Sequence, residues 1–438
     1  MLPLSKLLYL PVETVARELD AKLLLALFSI KEGFEVILCS SIEVRNQLHR
    51  LPKGVFLLSS FQGRSHAFAR RLRRYGHRLI AWDEEGLVWL TPEYYIRRRV
   101  GLQTLRYVDI LFAWGKEHEN VLRQAGIETS IVVSGNPRAD LLQERFIPMY
   151  KKKADTIRKN LGEFILVNSN FGWINLIGTK NHQRRAEIVA KKSGHPVSYI
   201  RYRQKIFSEM LRMTRELARR LPEHRIVVRP HPSEDPSVWQ QELQGVKNVV
   251  VRYDSDLIPW LLAARAMIHN GCTTAVEYAL LGKTPISYDP LRNDAFDIPQ
   301  PRRVSASATS VEEIIHLIKT PPTPANMHAT LQNMIANWGQ EKLSVQNIAE
   351  KLKGVALPSS PLSTRHKLEA LLYALKKRFS RILSHQTLGR RHLEHRFPAM
   401  SEEQIEERLH ALADCLDVNI PPFAITAHGP RFFHIRAA

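Results

Sequence analysis

Short apolar runs alternate with longer stretches in helical rhythm along most of the chain. KLLYLPV and FEVILCS read as strands, and the segment VARELDAKLLLALFSIK between them carries apolar residues at helical spacing. The alternation continues through VFLLSS, LIAWDEEG, ILFAWG and IVVSGNPRADLL. Strand and helix in regular succession predict βαβ units around a parallel sheet. A second series starts at FILVNSNFGWIN and runs through a long helical stretch, then RIVVRPHP, VKNVVVRY, MIHNG, TPISYDP and SVEEIIHLIK. The pattern thus predicts two doubly wound α/β domains, residues 1–155 and 156–354, with the basic segment 151–162 as the crossing. A cleft between the two is the expected place for a ligand, and open parallel sheets bind ligands at the carboxyl ends of their strands.

After residue 354 the rhythm stops. VALPSSPLSTRH carries prolines and serines without periodicity and reads as a linker. Residues 355–438 are therefore expected to form a basic, partly helical extension. Within 368–383, Leu368, Leu371, Leu372, Leu375, Phe379, Ile382 and Leu383 fall on one helical face, with Lys376, Lys377, Arg378 and Arg381 off it. Such a helix either docks on the domains or lies on an anionic membrane surface.

Composition narrows the class. The 438 residues are 44% hydrophobic and 24% charged, in the range of soluble globular proteins. Cys39, Cys272 and Cys415 are too few and too scattered for a disulfide framework or a zinc site. The N-terminal run breaks at Pro11 and Glu13, unlike a signal peptide, and no window approaches the roughly 18 apolar residues of a membrane span. A cytoplasmic protein is expected, with peripheral contact to the inner membrane through the 368–383 helix. The net charge of +20 calls for an anionic partner: nucleic acid, a phosphorylated small molecule, or an acidic membrane face. A basic nucleic-acid-binding protein is one alternative. However, no stacking-aromatic motif interleaves with the basic residues, and no helix-turn-helix is evident.

Candidate chemistry collects at predicted strand ends. Arg229 and His231 close RIVVRPHP, with the histidine clamped between Pro230 and Pro232, which cannot continue a ladder. Asn270, Gly271, Thr273 and Thr274 follow the strand at MI and open the helix that carries Glu277. Free amides at a helix start, with hydroxyls beside them, suit a phosphate. A carboxylate one turn on suits a ribose diol. Read singly, Thr273 is an N-cap, Glu277 an intrahelical pair and His231 a structural loop residue. In the first half, Asp83, Glu84 and Glu85 end an apolar strand, where burial would raise a carboxyl toward the range of a general base. Glu13, with Arg17 one turn further, is a second candidate, although an acidic residue there also suits the helix dipole. Asn136 and Arg138 in GNPRADLL, and Asn168 and Asn170 in NSNF, are candidate substrate contacts. No metal-ligand spacing, P-loop or GxGxxG occurs.

RPHPSE, followed by IHNGCTTAVEYALLGKTPISYDP, resembles the donor half of GT-B glycosyltransferases of bacterial surface polysaccharide assembly. Sialyltransferases, Kdo transferases and polyglycerol-phosphate polymerases share that layout. Residues 8–320 are also similar to proteins described as surface carbohydrate biosynthesis proteins. The resemblance implies a GT-B-like pair of Rossmann-type domains facing across a cleft. It also implies a metal-independent transferase of capsule, O-antigen, lipopolysaccharide or related glycan, with no cofactor beyond its nucleotide-sugar substrate. The implied donor is a CMP-linked ulosonic acid and the implied acceptor a glycan or lipid-linked glycan. His231, Thr273 and Thr274 would hold donor phosphate, and Glu277 the ribose. GNP turns like that at Gly135 also occur in nucleotide-sugar 2-epimerases of the same architecture, so an epimerase or hydrolase is the alternative enzyme.

Overall fold

The computed structural model describes residues 6–172, 174–175, 187–188, 190, 194–252, 256–322, 327–357, 394 and 396–438. The predicted helix at 368–383 lies outside them. The chain is α/β and divides into two compact units. The first comprises Met1–Leu87, Glu93–Met149 and Gln332–Ala438, and the second Val88–Pro92 and Tyr150–Leu331.

The first unit is built on an eight-stranded sheet. Six strands are parallel: β1 (Lys6–Val12), β2 (Phe34–Ser40), β3 (Val55–Leu58), β4 (Arg78–Ala81), β5 (Ile110–Ala113) and β6 (Ser130–Val133). Their order, β2-β1-β3-β4-β5-β6, reverses direction between β1 and β3, which makes a topological switch point there. Helix Val15–Lys31 buries Leu23, Leu24, Leu25, Ala26 and Leu27 completely. A helix apolar on all sides must be covered on all sides. Two C-terminal helices supply the cover. Ser344–Lys353 contributes Val345, Ile348 and Leu352, and Glu402–Ala413 contributes Ile405, Leu409 and Leu412, all fully buried. Asp20 and Arg408 pair at 2.6 Å along the second contact.

The part of the extension from residue 396 onward is thus integral to the first unit rather than a separate tail. Strands β13 (Phe423–Gly429) and β14 (Phe432–Ala437) form an antiparallel hairpin, and β14 adds antiparallel to β2, with Ile435 opposite Val36. Phe432, Phe433 and Ile435 seal that edge. The first unit reclaims the chain at Gln332, before the expected boundary at 354, because helix Ser344–Lys353 has its core partners there.

The second unit holds a six-stranded parallel sheet in the order β12-β11-β10-β7-β8-β9. The strands are β7 (Phe164–Asn168), β8 (Arg225–Arg229), β9 (Val249–Val251), β10 (Ala266–His269), β11 (Ile286–Tyr288) and β12 (Ala306–Ala308). Ile165, Val167, Ile226, Val228 and Ile268 pack on one face, and Phe164, Leu166, Val227 and Met267 on the other. Burial on both faces explains why these strands are continuously apolar rather than alternating. The order reverses between β7 and β10. The NSNF and NGCTT loops leave those two strands, so both lie at the switch point.

Candidate functional site

At the switch point of the first unit, charge is buried deeply. Glu18 and Lys22 stand one turn apart on helix Val15–Lys31 and pair at 2.6 Å, with side chains 2% and 0% exposed. The ammonium also donates to the Pro11 carbonyl, and to Ser59 Oγ at 3.0 Å. Glu84, at the end of β4, lies 3.6 Å from the same ammonium and 3.9 Å from the Arg138 guanidinium. Trp82 Nε1 donates to its Oε1 at 2.7 Å, while Oε2 is buried without a hydrogen-bond partner. Glu18 accepts from the Glu13 and Thr14 amides at 3.0 and 3.1 Å.

These distances decide which carboxyl keeps its charge. Burial would push Glu18 up, but the Lys22 ammonium and Arg17 outweigh it and hold the group below the ordinary glutamate range. Burial raises Glu84, and the Glu18 charge adds to that against the more distant Lys22 and Arg138. Glu84 is therefore the member of the pair that takes a proton first.

The other acidic candidates are committed elsewhere. Asp83 is held by Arg99, by Tyr95 Oη at 2.9 Å and by the Glu85 amide, so the role of base does not suit it. Tyr95 Oη also lies 2.8 Å from His118 Nε2. Glu85 pairs with Arg17 at 2.6 Å; burial would raise its carboxyl, but Arg17 and Arg99 prevail and bring it down to about 2. Glu13 is exposed and pairs with Arg396 at 2.8 Å. In GNPRADLL, Asn136 caps the turn by accepting from the Arg138 amide at 3.0 Å. Gly135 has φ +78, and a Cβ there would meet Ser344 Oγ at 2.2 Å. Asp140 accepts from the Ser344 and Val345 amides at 3.0 Å each, capping helix Ser344–Lys353. That motif mainly anchors the returning chain, while Arg138 alone reaches the charged cluster.

In the second unit a cavity of about 80 Å³ opens beside the switch point. Asn170, Asn270 and Gly271 line it from the two loops; Tyr199 and Arg203 line it from helix Val197–Arg220; Asp289, Phe296, Asp297, Ile298 and Arg302 complete the wall. Arg203 is 8% exposed. It donates to Asn270 Oδ1 and the Asn170 carbonyl, both at 2.7 Å, and stacks over the Phe171 ring at 4.6 Å. All of these partners are neutral. Arg302 differs: it pairs with Asp289 at 3.2 Å and Asp297 at 2.9 Å, yet its Nη2 is buried without a hydrogen-bond partner among the described residues.

The structure brings Asn170, Asn270 and Gly271 to this cavity from the predicted set and adds Arg203 and Arg302, which the sequence reading missed. Asn270 serves by holding Arg203, because its amide is shared between that residue and the Tyr288 carbonyl. Gly271, at φ +66, makes the turn. Asn168 points its amide at Cys272 Sγ, 3.7 Å away. Thr274 is buried, with Cys272 Sγ 3.3 Å from its hydroxyl, and Thr273 begins the helix without a side-chain cap. Glu277 is half-buried. None of Thr273, Thr274, Glu277, Arg229 or His231 lines the cavity.

His231 has a fixed tautomer. The Ser233 amide donates to its Nδ1 at 3.2 Å, so the ring proton lies on Nε2. Buried Glu234 ties that loop to β7 by accepting from Ser169 Oγ at 2.7 Å, the Phe171 amide at 2.8 Å and Trp239 Nε1 at 3.0 Å. The guanidinium of Arg229 lies over the Trp260 ring at 5.7 Å.

No protein-family model matches the chain, and no curated protein matches it. Solved structures do. A UDP-N-acetylglucosamine 2-epimerase aligns over 80% of this chain and 96% of its own, at 11% identity and a TM-score of 0.50. The UDP-GlcNAc 2-epimerase of Neisseria meningitidis, solved with UDP-GlcNAc, covers 79% and 98% at 14% identity and a TM-score of 0.47. The wall teichoic acid polymerase TagF covers 70% and 92% at 10% identity and a TM-score of 0.36. At these identities likeness speaks to fold alone, and the match at 0.50 carries it. The chain has the GT-B-like α/β fold, with a Rossmann-like parallel sheet in each unit.

Proposed function

We propose that this chain is an enzyme acting on a nucleotide-activated sugar in surface glycan biosynthesis, without a second sugar as acceptor: a 2-epimerase or a hydrolase. The observation that carries the reading is Arg203. Its guanidinium is buried in the wall of a cavity at a strand-order switch point, and the groups it hydrogen-bonds and stacks on among the described residues are all neutral. A buried guanidinium that hydrogen-bonds only neutral groups is costly, and the phosphates of a nucleotide would give it charged acceptors. They would also give Arg302 Nη2 an acceptor. Tyr199 and Phe296 offer aromatic surface in the same wall.

Glu84 is the acid–base group we assign, because its carboxyl is raised and one of its oxygens accepts no hydrogen bond among the described residues. Inverting a sugar carbon requires a group that takes a proton and can give one back. The structural neighbour at TM-score 0.50 is named for a uridine-linked sugar. That favours a UDP-sugar over the cytidine-linked ulosonic acid expected from the sequence. Transfer to a glycan acceptor is the second reading, supported by His231, whose Nε2–H is the kind of donor a departing phosphate needs.

Product analysis separates the readings. Purified protein incubated with UDP-N-acetylglucosamine alone is expected to yield the 2-epimer or free UDP. Turnover only when a glycan acceptor is added would assign it to the transferases. Turnover of CMP-sugars but not UDP-sugars would restore the cytidine reading.

A further inference from the structure

The arginine-rich helices of the first unit form a surface that the reaction does not use. Helix His66–Arg74 turns Ala67, Arg70 and Arg74 outward at positions i, i+3 and i+7. On one side it meets helix Leu102–Leu105: His66 Nδ1 lies 3.2 Å from the Gln103 carbonyl, and Thr104 Oγ1 donates to the Gln62 carbonyl at 2.9 Å. On its other side is helix Ser41–Gln47, whose Arg45 guanidinium stacks over Phe68 at 4.5 Å.

Arg70 on helix His66–Arg74, Arg64 just before it, Arg106 at the end of helix Leu102–Leu105 and Arg98 on the preceding helix Pro92–Arg99 are exposed and make no ion pair among the described residues. Leu102, 47% exposed, opens its helix one turn before Arg106, and Ile42, 45% exposed, stands on helix Ser41–Gln47; they are two of only five large apolar side chains so exposed among the described residues. By contrast, Arg73 and Arg78 nearby are both paired with Asp109. Uncompensated guanidiniums interleaved with protruding aliphatic side chains match a bilayer interface, where the charge meets anionic headgroups and the apolar tip enters the acyl boundary. Nucleic acid would instead call for exposed aromatic rings. Here Tyr107 packs against His66 at 5.5 Å, and Phe68 lies beneath Arg45.

We infer that helices Ser41–Gln47, His66–Arg74 and Leu102–Leu105, with the adjoining helix Pro92–Arg99, dock the protein on an anionic membrane surface, through Arg64, Arg70, Arg98, Arg106 and the Leu102 side chain. This inference is independent of the reaction the protein performs.

The test is co-sedimentation of the full chain with vesicles of phosphatidylcholine alone or mixed with phosphatidylglycerol. The wild type is expected to sediment with the mixed vesicles only. Each arginine near the surface is worth about fivefold in partitioning at low salt. The combined variant Arg64→Ala, Arg70→Ala, Arg98→Ala and Arg106→Ala should thus lose more than about tenfold. Leu102→Ser should weaken binding that survives added salt. A charge-matched control, Lys151→Ala, Lys152→Ala, Lys159→Ala and Lys247→Ala, removes four exposed lysines from the second unit and should bind as the wild type does. Equal losses in control and arginine variants would reduce the effect to net charge and overturn the inference. So would full binding by the arginine variant, equal binding to neutral vesicles, or arginine-dependent binding to a homopolymer RNA without binding to vesicles. Melting temperatures of all variants confirm that each one is folded.

Discussion

Glu84→Gln is expected to lower turnover of a nucleotide-sugar by about 10² to 10⁴, the range of a lost general acid–base group, while nucleotide affinity stays unchanged. The substitution is nearly isosteric and keeps the acceptor for Trp82 Nε1, so the loss would reflect chemistry rather than packing. A pH profile sharpens the point. The Glu84 carboxyl is raised by burial and by the Glu18 charge, so the acidic limb of wild-type activity should have its midpoint above the value of about 4.3 of an ordinary glutamate. That limb should vanish in Glu84→Gln. Glu85→Gln is the contrasting variant: its carboxyl is already down near 2 beside Arg17, and removing it should leave the limb in place.

Lys22→Met should destabilise the protein by about 3–5 kcal/mol at neutral pH, the cost of removing one partner from a buried ion pair. Lys22 is fully buried, and its ammonium serves Glu18, Ser59, the Pro11 carbonyl and Glu84 together. The pH dependence follows from linkage. In the wild type, Glu18 is held low, so its contribution is present above its unfolded value and is lost as the pH falls through its folded value. Glu84 has the opposite sign: its raised carboxyl favours the protonated folded state, so its contribution weakens as the pH rises. Without the ammonium, Glu18 loses the charge that does most to lower its carboxyl, and burial weighs on both groups. The penalty should therefore be largest near pH 7 and shrink as the medium is acidified from there and the carboxyls take protons. Denaturant unfolding of both proteins across that interval measures it.

The alternation of strands and helices was legible in the sequence because parallel strands buried on both faces must be continuously apolar. The carboxyl-end rule also led to Asn170, Asn270 and Gly271. Three things stayed hidden, each for a physical reason. FFHIRA becomes a strand because β2 offers it an edge nearly the whole chain away, FAITAHG pairs in turn with FFHIRA, and no local periodicity announces the pairing to β2. Arg203 and Arg302 sit in a helix and a loop whose side-chain directions are set by packing, so a rule about strand ends passes over them. Glu18 and Lys22 stand at the start of a helix that also carries Arg17 and Asp20 there, and spacing alone does not say which of these charges face solvent and which are buried. Among the three adjacent carboxylates at residues 83 to 85, composition could not choose. Tyr95, Arg99 and Arg17 choose, by occupying the first and the third.

Calorimetric titration of UDP, UDP-N-acetylglucosamine and CMP into the wild type and Arg203→Met tests the role of the buried guanidinium. Methionine keeps the apolar contact with Phe171 and removes the charge. Uridine nucleotides are expected to bind the wild type. Arg203→Met, still folded, should bind them about 10- to 100-fold more weakly, the worth of a charged hydrogen-bonding group. Undiminished nucleotide binding by Arg203→Met, or no nucleotide binding by the wild type, would contradict that role.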